Sequence, residues 1–139
     1  MKVFFDTNVY VAEALLGGAA EQMVAATIEA KWRMFCSDYV LDETQRVLTE
    51  KLGFSRRFGH LARTRIRHRS SRVVSPASRH SVPHDPADSP VFSAALKAGA
   101  DLLVTNDAHL LALNPYQGLR IISMTEYFNL LLDEGHIAS

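Results

Sequence analysis

The residues best suited to chemistry are acids standing at the ends of apolar runs. Asp6 closes Val3-Phe4-Phe5. Glu43 comes soon after Met34-Phe35-Cys36, Asp88 precedes Ser89-Pro90, and Asp107 follows Leu102-Leu103-Val104-Thr105. A carboxylate just past the carboxyl end of a buried strand sits where open α/β sheets place their ligands. Each acid alone has an ordinary reading. Asp6 can be a helix N-cap, Glu43 a surface acid, Asp88 a favourable charge at a helix N-terminus and Asp107 a turn residue. Four strand-to-helix junctions that each deliver a carboxylate to one sheet edge argue instead for a shared role.

Electrostatics defines that role. Two carboxylates about 5 Å apart at an effective dielectric near 20 repel by roughly 3 kcal/mol. Several together therefore require a cation or a proton. Oxygen ligands suit Mg²⁺ or Mn²⁺ better than zinc. Such an ion lowers the pKa of a bound water and neutralises charge on a phosphoryl oxygen. The expected chemistry is metal-dependent hydrolysis of a phosphodiester, with Asp6, Glu43, Asp88 and Asp107 as both catalytic and metal-binding residues. Asp85, in Asp-Pro-Ala-Asp, is either a turn residue or a fifth acid in a supporting position. The sequence has no Gly-rich phosphate loop, no Gly-x-Ser-x-Gly and no His-Glu-x-x-His. Its six histidines show no metal-ligand spacing.

The elements that must position these acids alternate between strand and helix. Val3–Phe5 reads as a strand, followed by a helix over 8–16 that Gly17-Gly18 closes. A second helix is expected over about 19–32, with Val24, Ile28 and Trp32 on one stripe. Strand two, over 34–36, leads to a helix capped by Ser37 or Asp38. Its apolar face carries Val40, Leu41, Thr44, Val47, Leu48 and Leu52. On that helix Glu43 borders the apolar stripe and Asp42 turns to water. A basic helical stretch over 54–69 has Phe58, Leu61, Ala62 and Ile66 on its apolar side. A short strand over 72–75 and a loop over 76–86 come next. Ser89 then caps a helix with Pro90 at its first position and Phe92, Ala95, Leu96 and Gly99 facing inward. A strand over 101–105, a short helix to about 113 and a strand over 119–122 follow. Ser123 and Glu126 form a capping box for a last helix carrying Tyr127, Phe128, Leu131 and Leu132. Strands alternating with helices predict a mainly parallel α/β sheet.

Bulk properties exclude several classes. The 139 residues suffice for one domain. Fifteen basic and fifteen acidic residues cancel, yet ten Arg and Lys lie between Thr44 and His80 against the single acid Glu50. That segment can meet a phosphate backbone through Arg56, Arg57, Arg63, Arg65, Arg67, Arg69 and Arg72, or it can be a solvated helix or a docking face for an acidic partner. Cys36 is the only cysteine, so no internal disulfide and no Cys-x-x-Cys zinc site is possible. Asp6 interrupts the first apolar run, and no apolar stretch approaches the length of a membrane span. A cytoplasmic protein without a leader is expected.

In order along the chain, Phe-Phe-Asp-Thr-Asn, the Leu-Asp-Glu that ends at Glu43, His-Asp-Pro-Ala-Asp-Ser-Pro-Val-Phe, Ala-Asp-Leu-Leu-Val-Thr-Asn-Asp and Leu-Arg-Ile-Ile-Ser-Met-Thr-Glu-Tyr-Phe resemble PIN-domain nucleases. The likeness is greatest to bacterial VapC-like toxins of toxin–antitoxin systems and covers nearly the whole chain, which implies a single PIN domain over 1–139. It implies a three-layer α/β/α sandwich around a mainly parallel sheet of four or five strands. It further implies a Mg²⁺- or Mn²⁺-dependent endoribonuclease that leaves 3′-hydroxyl and 5′-phosphate ends. The acidic site maps onto Asp6, Glu43, Asp88 and Asp107, with Asn8, Thr105, Asn106 and Asp85 in support. Related chains can carry a further acid where this one has Ala87. The resemblance also implies an RNA substrate, a homodimer and a cognate antitoxin. Two other readings compete: a module that binds RNA or a partner without cutting, and another metal-dependent phosphohydrolase. The lack of Asp-x-Asp after strand one counts against a haloacid dehalogenase type.

Overall fold

A computed structural model describes residues 1–75 and 89–138. The loop expected over 76–86 and the acids Asp85 and Asp88 lie outside the described residues. The centre is a five-stranded, wholly parallel sheet of order β3-β2-β1-β4-β5. Its strands are β1 (Lys2–Phe5), β2 (Arg33–Ser37), β3 (Arg72–Val74), β4 (Leu102–Val104) and β5 (Arg120–Ile122). The helices are α1 (Thr7–Leu16), α2 (Gly18–Glu29), α3 (Asp38–Arg46), α4 (Arg56–Arg69), α5 (Pro90–Ala98), α6 (Ala108–Leu111) and α7 (Met124–Asp133).

This order follows from the sequence. β1 and β4 are buried along almost their whole length, as strands covered on both faces must be. Right-handed crossovers put α1 to α4 on one face and α5 and α6 on the other. α7 returns to the first face and packs on α2. There Phe5 meets Tyr10 and Tyr127 edge to face, with ring centroids 5.8 and 5.6 Å apart. On the opposite face Phe92 meets Tyr116 at 4.9 Å.

Helix starts are fixed by side-chain caps. Ser37 accepts from Val40 N at 3.2 Å, Ser55 from Phe58 N at 3.1 Å, Ser89 from Phe92 N at 3.3 Å and Ser123 from Glu126 N at 3.1 Å. Each cap satisfies an orphan N–H in the first turn. In all four the capping oxygen is that of a serine.

Four inward stripes differ from expectation, the simplest in α5, where Gly99 is exposed as the C-cap and Val91 and Ala98 are buried. In α2 the buried face is Ala20, Met23, Val24, Ala26 and Thr27, whereas Ile28 is exposed. Thr27 takes the inner place because its hydroxyl has partners there, Met23 O at 2.7 Å and the Tyr127 hydroxyl at 2.5 Å. The third helix does not run evenly to Leu52. It widens after Arg46 into a π-turn over Val47–Lys51, where Leu52 N donates to Val47 O at 3.0 Å. One extra residue in a turn rotates whatever follows, so Leu48 is buried and Leu52 is exposed. Leu61 of α4 is also exposed, leaving Ile66 as that helix's main apolar anchor.

α3, the π-turn and α4 form a tight hairpin. A Cβ at Gly59 would lie 2.6 Å from Thr49 Cγ2 and 3.3 Å from Gln45 Cγ. Only glycine at that position lets α4 come this close to the π-turn. No helix among the described residues is long and apolar enough to cross a membrane.

Candidate functional site

The sheet register places a polar row along the carboxyl edge. Phe4 pairs with Phe35, Phe5 with Val104 and Val104 with Ile122. Two residues on from Phe4 and Phe35, and one on from the other pairs, Ser37, Asp6, Thr105 and Ser123 therefore stand side by side. Asp6 N donates to Val104 O at 3.0 Å, and Thr105 N donates to Ile122 O at 3.0 Å. These bonds continue the sheet just far enough to fix Asp6 beside Thr105.

Asp6 is buried, with 7% of its surface exposed, and it caps α1. Its Oδ1 accepts from Thr7 N at 2.6 Å and its Oδ2 from Thr105 Oγ1 at 2.7 Å. The Thr105 hydroxyl also accepts from Asp107 N at 3.0 Å. This single oxygen thus joins the two strand ends that carry Asp6 and Asp107. Asp107 caps α6 by accepting from His109 N at 2.8 Å, and its side chain is exposed to solvent. Burial pushes the Asp6 carboxyl above its ordinary range. The bonds from Thr105 and Thr7 oppose that rise, and the charge of Asp107 adds to it. Among the described residues no cationic side chain bears on Asp6.

The structure treats the other predicted residues differently. Glu43 is half-buried and gripped by Arg46, with Nη2 at 2.5 Å from Oε1 and Nε at 3.1 Å from Oε2. That bond holds the Glu43 carboxyl below its usual range. Asp42 points to solvent as expected and pairs with Arg63. Asn8 is exposed on the first turn of α1. Asn106 accepts from Met124 N at 3.1 Å, tying the end of β4 to the start of α7. Among the described residues no three His, Cys, Asp or Glu side chains group closely enough to hold a metal ion together. The expected meeting of four carboxylates is thus seen as one pair, Asp6 and Asp107, with Glu43 turned to Arg46 and Asp88 outside the described residues.

The seven arginines also divide. Arg69 is removed from the nucleic-acid set, because it binds the Glu13 carboxylate through two 2.7 Å bonds and is largely buried. Arg63 is occupied by Asp42 and Gln45. Arg65 stands 4.0 Å from Glu13 but is exposed. Arg56, Arg57, Arg67 and Arg72 are exposed and make no ion pair among the described residues. Glu13 is the residue that sequence reasoning passed over. The signal was its place three after Tyr10 and four after Val9, on the buried stripe of α1, where an acid needs a partner.

The donors present fit a divalent cation. A carboxylate offers roughly four acceptor positions, and Asp6 uses two. Both of its partners among the described residues are neutral. Beside it the buried Thr7 Oγ1 has no hydrogen-bond partner among the described residues. An uncompensated carboxylate with a second acid near it and only oxygen donors around it suits Mg²⁺ or Mn²⁺.

A family model described as PIN domain matches residues 2–109. The chain belongs to the PIN domain family. PIN domains form a superfamily of metal-dependent nucleases, hydrolases that typically use divalent metal ions. The match takes in Asp6, Glu43, Asp88 and Asp107. No curated protein and no solved structure matches the chain.

Proposed function

We propose that this PIN domain is a Mg²⁺- or Mn²⁺-dependent endoribonuclease, the toxin of a toxin–antitoxin pair. The observation that carries the nuclease reading is the Asp6–Thr105–Asp107 bridge, a buried acid with no cationic partner among the described residues at the carboxyl edge of a parallel sheet. Asp6, Asp107, Asp88 and Glu43 would hold the cation. When bound, the ion supplies an acidified water and charge neutralisation at the scissile phosphate.

The chain's own groups do the rest. Thr105 positions Asp6 by donating to one oxygen, and it holds the backbone of Asp107 through its lone pair. Asp107, more exposed than Asp6, is placed to orient an attacking water and take its proton. Arg56, Arg57, Arg67 and Arg72, which make no ion pair among the described residues, would meet the RNA backbone and give affinity and orientation without base specificity. The toxin reading rests on the likeness of the ordered motifs to VapC-like proteins. With it come a homodimer, a cytoplasmic site of action and inhibition by a cognate antitoxin.

The test is cleavage of total RNA with Mg²⁺ or Mn²⁺, with EDTA, and with Asp6→Asn. Activity should vanish with EDTA and fall at least about a hundredfold in Asp6→Asn. Undiminished cleavage by the variant would refute the role of Asp6. Tight RNA binding without turnover would favour the non-catalytic module. Phosphate monoesters cut faster than RNA would favour another phosphohydrolase.

A further inference from the structure

Arg46 stands between two environments. Its guanidinium forks onto both oxygens of Glu43, at 2.5 and 3.1 Å. Its Nη1 also stands 3.8 Å from Glu50, beside an open groove of about 410 Å³ between the α3–π-turn segment and α4, whose walls include Asp42, Gln45, Thr49, Glu50, Arg56 and His60. Nothing in the family reading uses this residue or this groove.

We propose that Arg46 is an exchange residue: it holds Glu43 in the metal-free protein and turns into the groove, onto an RNA phosphate, when a divalent cation takes the carboxylate. The proposal rests on the reading that Glu43 belongs to the cation site. Three observations support it. First, the Arg46 side chain is 43% exposed, so its guanidinium has solvent to turn into. Second, an ion pair at such exposure is weak and screened by solvent, so a doubly charged ion can outcompete it. Third, the groove can receive a backbone. Arg56 lines it and makes no ion pair among the described residues, the charge of Asp42 on its wall is met by Arg63, and Glu50 on the same wall lies 3.8 Å from Arg46 Nη1 with its side chain turned largely to solvent. Gln45, Thr49 and His60 add hydrogen-bonding groups at the same wall. An arginine fork transfers readily between carboxylate and phosphate because both present two oxygens at the same spacing.

The competing account is an ordinary pair on a helix surface, three residues apart. Two variants separate them. Mn²⁺ is titrated into RNA-free protein and the free ion followed by its electron spin resonance signal. Arg46→Gln should bind Mn²⁺ about two- to fivefold more tightly than wild type. Arg46→Lys keeps the charge but loses the fork, so it should fall between the two. If only net charge mattered, Arg46→Lys would match wild type, and that result overturns the exchange. In cleavage of a single-stranded RNA at saturating Mn²⁺, Arg46→Gln should raise KM about two- to fivefold and leave kcat nearly unchanged. An unchanged KM overturns the transfer to phosphate. Glu43→Gln is the control for the underlying reading. Wild-type Mn²⁺ affinity in Glu43→Gln removes Glu43 from the cation site. Weakened affinity there, with both Arg46 variants unchanged, removes the exchange alone.

Discussion

Two acids on α1 meet opposite fates. Asp6 and Glu13 lie on or beside the same helix and are almost equally buried, 7% and 8% exposed. Glu13 has its charge answered by Arg69 through two 2.7 Å bonds, with Arg65 further off. Asp6 has two neutral donors and a second carboxylate nearby. Burying an ion without a partner costs several kcal/mol, and pairing it with good geometry offsets that cost. The fold bears this cost at Asp6 and not at Glu13. On the proposed function, the difference separates a carboxylate that holds helices together from one kept ready for an external cation.

The sharpest way to break this comparison is to exchange the consequences. Arg69→Ala leaves Glu13 buried and alone, and should cost about 3–5 kcal/mol of stability in urea unfolding. Asp6→Asn should cost no such stability yet remove nuclease activity. If the two effects are reversed, the contrast is wrong. Thr105→Val keeps the shape of the side chain and loses the bridge. It should lower kcat or Mn²⁺ affinity by about 10–100-fold, with far-UV circular dichroism unchanged. Replacing Arg56 and Arg57 together by Gln should raise the RNA Kd and reduce the slope of log K against log salt by about 1.4, roughly 0.7 for each lost phosphate contact.

The smallest effect sharpens the comparison through pH. Asp6 holds its proton more tightly folded than unfolded, because burial disfavours its charge. Its contribution to stability is therefore complete below the unfolded pKa, about 4, and is lost as pH rises through the raised native value. In EDTA, Asp6→Asn should melt above wild type at neutral pH, with the gap closing in acid. A gap that is constant across that window would contradict the burial of an uncompensated charge. Glu13→Gln should show no such gain, since its partner Arg69 would be left unpaired.

Local chemistry was readable in the chain. Strand lengths, the Ser37, Ser89 and Ser123 caps and Pro90 at a helix start all follow from near neighbours. So does the parallel sheet, because β1 and β4 are apolar on both faces. What was not legible depends on partners distant in sequence. Arg69 reads as one more basic residue until Glu13, 56 positions earlier, is seen beside it. Ile28 reads as core until the Thr27 hydroxyl finds Tyr127. Leu52 reads as inward until the π-turn rotates it away. At the site, adjacency of Asp6 and Asp107 follows from β1 pairing with β4. The single hydroxyl of Thr105 serving both acids needed coordinates, as did the hold of Arg46 on Glu43.

The central claim is that a divalent cation completes the charge balance at Asp6. Its most direct test is a crystal of the full chain soaked in Mn²⁺ and measured for anomalous scattering. The account predicts a peak about 2.1 Å from a carboxylate oxygen of Asp6 or Asp107, absent in crystals of Asp6→Asn. A crystal with full-length density at both acids and no peak between them at saturating Mn²⁺ would contradict it.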